Sequence, residues 1–251
     1  MEKRVIELRV LGATDLAGVP AETAEALLAQ PKRVAMLVYL ALAEPRGYHR
    51  RDRIVGMLWP ELDQERARVS LRRAVYDLRR VLGEHVIVAR GDEEIALARD
   101  AVWCDAVDVD ESVDAGRYLR ALELYRRGDL LPGFFVLGAG EFEDWLDRAR
   151  SALREKVAAA AWGLAAASAT DGQLTHANRF ARRASELAPS DERMLRRVML
   201  LLASHGEIAG ALHVYDDFAR RLRRDFDAEP SRESRELRER LRRPNGGAPP
   251  R

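Results

Sequence analysis

Arginine can fork onto a guanine edge or a phosphate oxygen, and the stretch from Arg66 to Leu82 carries six arginines. Advancing roughly 100° per residue from Leu71 brings Val75, Leu78 and Leu82 within about 40° of it, which makes one apolar stripe. The opposite face then belongs to Val69, Arg73, Tyr76 and Arg80, flanked by Arg72 and Arg66. This composition suits reading a DNA groove, with arginines for bases or phosphates and Val69 and Tyr76 for thymine methyls or sugars. A solvated helix that merely supports its domain would look similar, so context must decide. Asp77 departs from the pattern: it would repel phosphate, and can instead accept from a cytosine amino group or pair with Arg73.

Further cations lie nearby. Lys32 and Arg33 fall in the first turn of an expected helix, whose free N–H groups also attract anions, so both are candidate phosphate contacts. Arg50, Arg51 and Arg53 can serve likewise or simply be solvated. Arg66 and Arg79 join the phosphate set, and Arg90, beside an expected hairpin turn, is placed to enter a minor groove. Residues 30–80 hold 12 Lys or Arg against 6 acids, although the whole chain is only +1. Such a basic island on an otherwise slightly acidic protein is the footprint of a duplex-binding module.

The elements that must position these residues are legible in outline. Residues 2–11 alternate as a strand, which Gly12 ends, and short strands are expected to continue to Leu28. Pro31 opens a helix through Ala43, Arg50 to Leu58 forms a second, and Trp59-Pro60 stops it. Asp63 can cap the third helix, and Gly83 closes it. Val86 to Arg90 and Glu94 to Ala98 flank Gly91-Asp92-Glu93 as a hairpin. Strands, three helices and a terminal hairpin describe a winged helix-turn-helix over residues 1–100.

From Val102 onward helical periods take over, so an all-α domain is expected over 101–243, with 244–251 a flexible tail. Gly172-Gln-Leu-Thr-His-Ala177 and Gly206-Glu-Ile-Ala-Gly-Ala211 lie 34 residues apart, the period of a tetratricopeptide helix pair. A third copy, Gly116-Arg-Tyr-Leu-Arg-Ala121, precedes them by 56 residues, one period plus an insertion. Pro189 breaks one helix between the later copies, and Ser190 or Asp191 caps the next. The fold class expected is therefore mainly α, a winged helix followed by a tetratricopeptide-like repeat domain.

Composition and motifs narrow the chemistry. The chain has 251 residues, 47% apolar and 33% charged, with one cysteine, Cys104, so neither an intrachain disulfide nor a CxxC pair can form. A reducing cytoplasm fits, and no apolar run is long enough to span a bilayer. The five histidines lack HExxH spacing, no Gly-x-Ser-x-Gly occurs, and Asp105 to Glu111 reads as helix-capping and solvating carboxylates. No catalytic, cofactor or metal site is expected. Tyr125, Trp145, Trp162 and Tyr215 read as core. The absence of a Gly-x4-Gly-Lys-Ser/Thr loop leaves control to expression, a ligand or a partner.

Pro31-Lys32-Arg33, Leu58-Trp59-Pro60, Leu78 to Leu82, Leu130-Leu131-Pro132-Gly133 and Trp145 occur in an order that resembles a known family. That family is the OmpR-like winged helix fused to a bacterial transcriptional activator domain, as in SARP-type activators. The resemblance spans about Arg4 to Leu241. It implies major-groove reading by Val69, Arg72, Arg73, Tyr76, Asp77 and Arg80, tandem occupation of direct repeats near promoters, and contact with RNA polymerase holoenzyme, at the nucleoid. The competing reading is a protein-protein adaptor whose winged helix is not a sequence-specific DNA reader.

Overall fold

The computed structural model describes residues 6–243; the expected strand residues 2–5 and the tail at 244–251 lie outside them. In chain order the elements begin with β1 (Ile6–Arg9), β2 (Asp15–Ala17), α1 (Ala21–Leu28), α2 (Pro31–Leu42), β3 (His49–Arg50), α3 (Arg51–Leu58) and α4 (Gln64–Leu82). The wing follows with β4 (Ile87–Arg90) and β5 (Glu94–Leu97), then β6 (Val102–Cys104) and α5 (Asp105–Asp114). Only helices come after: α6 (Tyr118–Tyr125), α7 (Gly140–Thr170), α8 (Leu174–Leu187), α9 (Glu192–Ser204), α10 (Ile208–Phe226) and α11 (Arg232–Arg242). The chain is thus mainly α, as expected, with its sheets confined to the N-terminal part. It clusters into two compact units, one of residues 6–114 and 123–153, the other of 115–122 and 154–243.

Two expectations fail in the first unit. Residues 21–28 form a helix instead of a strand, because Ala24 and Leu27 are buried one turn apart in an alanine-rich segment with high helix propensity. Strands also do not end before Val102: β6 pairs parallel with β1, Ile6 against Val102 and Leu8 against Cys104, giving the sheet order β2-β1-β6. A three-residue strand is too short to show a period.

Asp105 holds this sheet to the helix that follows it. Its carboxylate accepts from the backbone N–H groups of Val10 at 2.9 Å, Leu11 at 3.2 Å and Ala106 at 2.8 Å, and the residue is buried. It is therefore a clamp, not a solvating residue. Burial pushes its carboxyl pKa up, against the pull of the three N–H donors. Asp108 and Asp110 are engaged as well, with Trp103 and Arg46.

The second unit repeats one local design. Gly116, Gly172 and Gly206 take φ of +72°, +72° and +79°, a left-handed conformation that costs glycine nothing. Two residues after each, a helix begins, and Ala121, Ala177 and Ala211 at the common position are fully buried. A larger side chain there would hold the neighbouring helix away. Asp191 caps α9 by accepting from Arg193 and Met194 N–H. Glu192 beside it accepts from the N–H and hydroxyl of Ser231 and the hydroxyl of Ser234, fixing the start of α11. Of the aromatics read as core, Tyr125 and Tyr215 are buried, while Trp145 and Trp162 are half-buried.

Two predictions follow from these carboxylates. Asp105→Ala leaves three buried donors unpaired and is expected to cost about 3 kcal/mol or more in chemical denaturation, at ~1–3 kcal/mol per orphaned buried group. At Glu192, burial opposes ionisation, but the Ser231 and Ser234 donors outweigh it and hold the pKa below the usual glutamate value. The stability Glu192 supplies is therefore full above the ordinary glutamate pKa and lost as pH falls through the lowered one. Hydrogen exchange should show α11 losing protection over that acid window, and Glu192→Ala should show it already at neutral pH.

Candidate nucleic-acid interface

The orientation of α4 follows from its sequence. Ala67, Leu71, Ala74, Val75, Leu78 and Leu82 are buried on one side, and the Asp63 carboxylate caps the helix by accepting from Arg66 N–H at 2.9 Å. The opposite side is open, with Val69 51% and Tyr76 61% exposed, and Arg66, Arg72, Arg73 and Arg80 also exposed. The face expected from 3.6-residue periodicity is the face observed.

Pairing divides the cations of the basic island. Lys32 contacts Glu61 at 2.6 Å, Arg50 contacts Glu93 at 3.8 Å, Arg66 contacts Asp63 at 3.3 Å and Arg68 contacts Asp52 at 3.0 Å. Arg46 meets Glu44, Asp110 and Glu111, and Arg53 donates to the Tyr39 hydroxyl at 3.0 Å. Arg72, Arg73 and Arg80 have no such partner among the described residues. All three sit on the exposed side of α4, where their charge is available to an external anion.

Four of the expected contact residues are placed differently. Asp77 pairs with Arg33 of α2, not with Arg73, and their side chains are only 19% and 18% exposed. Neither is presented to solvent as a free contact group. The Arg79 guanidinium donates through Nε at 2.9 Å and Nη2 at 2.7 Å to the Ile87 carbonyl, so it ties the end of α4 to β4. Arg51 is half-buried, its Nε lacks a partner, and burial with Arg79 nearby lowers its pKa. Lys32 keeps its place at the start of α2, with its ammonium 5.7 Å from the Trp59 ring centre.

The wing is the β4–β5 hairpin, extended by β3 in the order β3-β5-β4 and turning at Gly91. Arg90, directly before the turn, bonds Glu94 at 2.5 Å and lies over the exposed ring of Tyr48, 4.6 Å from its centre. Tyr48 therefore belongs to the wing surface, although it was not singled out in sequence. Its signal was an aromatic residue directly before the basic run His49-Arg50-Arg51.

No group of three or more metal-ligating side chains occurs among the described residues, and no described helix is long and apolar enough to cross a membrane. The family model named Bacterial transcriptional activator domain matches residues 106–242, more than half of the chain. The chain belongs to the bacterial transcriptional activator domain family. With the N-terminal winged helix, its domain order resembles that of SARP-type transcription regulators. A search of curated proteins finds no match. Among solved structures, that of Mycobacterium tuberculosis EmbR in complex with a low affinity phosphopeptide is similar in fold, with a TM-score of 0.61 and 22% identity. The match covers 96% of this regulator and 65% of the EmbR chain, so this regulator spans about two-thirds of that length.

Arg79 separates a structural from a phosphate-binding role in this regulator. Arg79→Ala is expected to lower stability by about 1.5–3 kcal/mol, the range for a hydrogen bond from a charged donor. Denaturant unfolding without DNA is the measurement, because loss of a phosphate contact alone would leave stability unchanged.

Proposed function

We propose that this regulator activates transcription by reading double-stranded DNA with α4 in the major groove. The observation that supports this most directly is that Arg72, Arg73 and Arg80 are exposed and unpaired on one helix face, beside Val69 and Tyr76. Most cations around them are paired with acids, so these three carry the charge of the basic island that is open to a phosphate or a base edge. Val69, Arg73, Tyr76 and Arg80 are the base-reading set; Arg72, Arg66, Arg50 and Lys32 serve the phosphates, and Arg90 with Tyr48 serves the flanking backbone or minor groove. Asp77, Arg33 and Arg79 hold the reading helix in place. The regulator occupies direct repeats near promoters, contacts RNA polymerase holoenzyme and acts at the nucleoid in the cytoplasm.

In vitro selection of bound duplexes tests the reading. Arg73→Ala is expected to weaken the selected site by about 1–3 kcal/mol and to relax one position of the motif, whereas Arg66→Ala weakens all duplexes similarly and lowers the salt slope by about 1. Asp77→Ala leaves Arg33 largely buried without its partner and releases the pair that aligns α4 with α2, so it is expected to weaken the selected site and relax its motif. Equal affinity of wild type for all sequences would overturn base reading and favour the adaptor alternative.

A further inference from the structure

The first unit carries an apolar projection that its own packing does not use. Between Leu131 and Ala139 the chain is fastened at several points: Arg150 donates to the Leu130 and Leu131 carbonyls, Glu143 accepts from Val136 N–H at 2.7 Å, and Leu131 N–H bonds the Val10 carbonyl at 2.7 Å. Val136 points into the core, which turns its two neighbours outward. Phe135 is 60% and Leu137 83% exposed. Two large apolar side chains held in water on a fastened loop mark a contact surface.

The same unit has an open cavity of about 330 Å³ walled by Leu40, Ala41, Leu97, Val102, Trp103 and Val107. None of the loop residues lines it. Its volume lies at the low end of the ~300–1,000 Å³ typical of sites that enclose a small group. Charge matches as well. Of the cations on the cavity wall, Arg46 is neutralised by three acids, whereas Arg99 is exposed and unpaired among the described residues. Beside the loop, in the first turns of α7, Glu141 and Asp144 are exposed and likewise unpaired among the described residues.

We propose that the Phe135–Leu137 loop of one copy seats in this cavity of a second copy, with Glu141 or Asp144 facing Arg99. Loop and cavity are different surfaces, so the contact is head-to-tail, the symmetry of proteins bound side by side on direct repeats. The inference rests on the tandem occupation put forward above. A knob of two side chains buries far less than the ~1,600 Å² of a standard interface, so the contact is weak in free solution. It becomes populated when adjacent DNA sites raise the effective concentration of the two copies, and this weakness also keeps an open-ended contact from forming filaments.

The test compares the wild-type regulator on duplexes with one half-site and with two in tandem. Leu137→Asp and Arg99→Glu should each lower cooperativity at least tenfold while leaving single-site affinity unchanged, and Arg99→Glu combined with Glu141→Arg should restore it. Unchanged cooperativity in Leu137→Asp overturns the proposal. So does saturable binding of anilinonaphthalene sulfonate that Leu40→Trp blocks without affecting cooperativity, because the cavity would then be a small-molecule site. If wild type binds no DNA, the functional reading fails separately; cross-linking of two copies tethered by a flexible linker then decides, with a contact abolished by Leu137→Asp supporting the proposal and one unaffected by it, or no contact at all, overturning it.

Discussion

The ion pair between Arg33 of α2 and Asp77 of α4 governs what the rest of the exposed α4 surface can do. Both partners are mostly withdrawn from water, so desolvation offsets much of their attraction, and the pair contributes little net stability. Its effect is on alignment. The apolar stripe of α4 is a row of small and branched aliphatics that would tolerate some rotation about the helix axis. A charged pair spanning α2 and α4 does not tolerate it, because any turn would leave one charge buried and alone. Arg73 one turn before Asp77 and Arg80 one turn after it lie on the same side of α4, so the pair fixes how far that exposed edge is turned toward α2. Arg79 completes the constraint at the other end by anchoring α4 to the wing through the Ile87 carbonyl.

The surrounding electrostatics are more selective than a net charge of the basic island suggests. Most of its cations are engaged, and several are held by acids two to sixty-five positions away, such as Glu44, Asp110 and Glu111 around Arg46. What remains uncompensated is concentrated on α4. An unpaired arginine forms a phosphate or base contact without first losing an internal partner, so free arginines contribute more to binding than the same number distributed in ion pairs. The acids around them also limit affinity for arbitrary polyanions. In the DNA-reading role proposed above, recognition would rest on a small number of side chains, each with a large effect.

How much of this was legible in sequence depended on range. The face of α4, the Asp63 and Asp191 caps, the hairpin and the spacing of the three glycine–alanine copies all arise from residues within a few positions of one another, and periodicity reports them directly. The contacts that were missed join distant segments: Arg33 to Asp77 is 44 residues, and Val10 to Asp105 is 95. No local pattern distinguishes an aspartate that will clamp a sheet from one that will be solvated. α1 was not legible as a helix for the opposite reason: its alanine-rich pattern is local but only eight residues long, with Ala24 and Leu27 alone buried. Arg79 looked like its neighbours Arg72, Arg73 and Arg80 because helix phase alone cannot reveal that a carbonyl of the next strand lies within reach.

The repeat unit illustrates how a few local rules can generate an extended structure without long-range instruction. Each left-handed glycine reverses the chain, and each buried alanine sets the distance of closest approach, so the same turn recurs wherever the spacing recurs. Polar groups then make one copy specific to its neighbour. Asn178 in α8 contacts His205 at 2.7 Å and donates to Glu207 at 2.7 Å, and Glu207 also holds Arg182 at 2.6 Å. In sequence His205 is one of five histidines without HExxH spacing. In place it belongs to a network that secures the α9–α10 turn against α8, where apolar packing would allow the helices to slide. Such a network works only if its members stay paired, and that gives the turn a single preferred register.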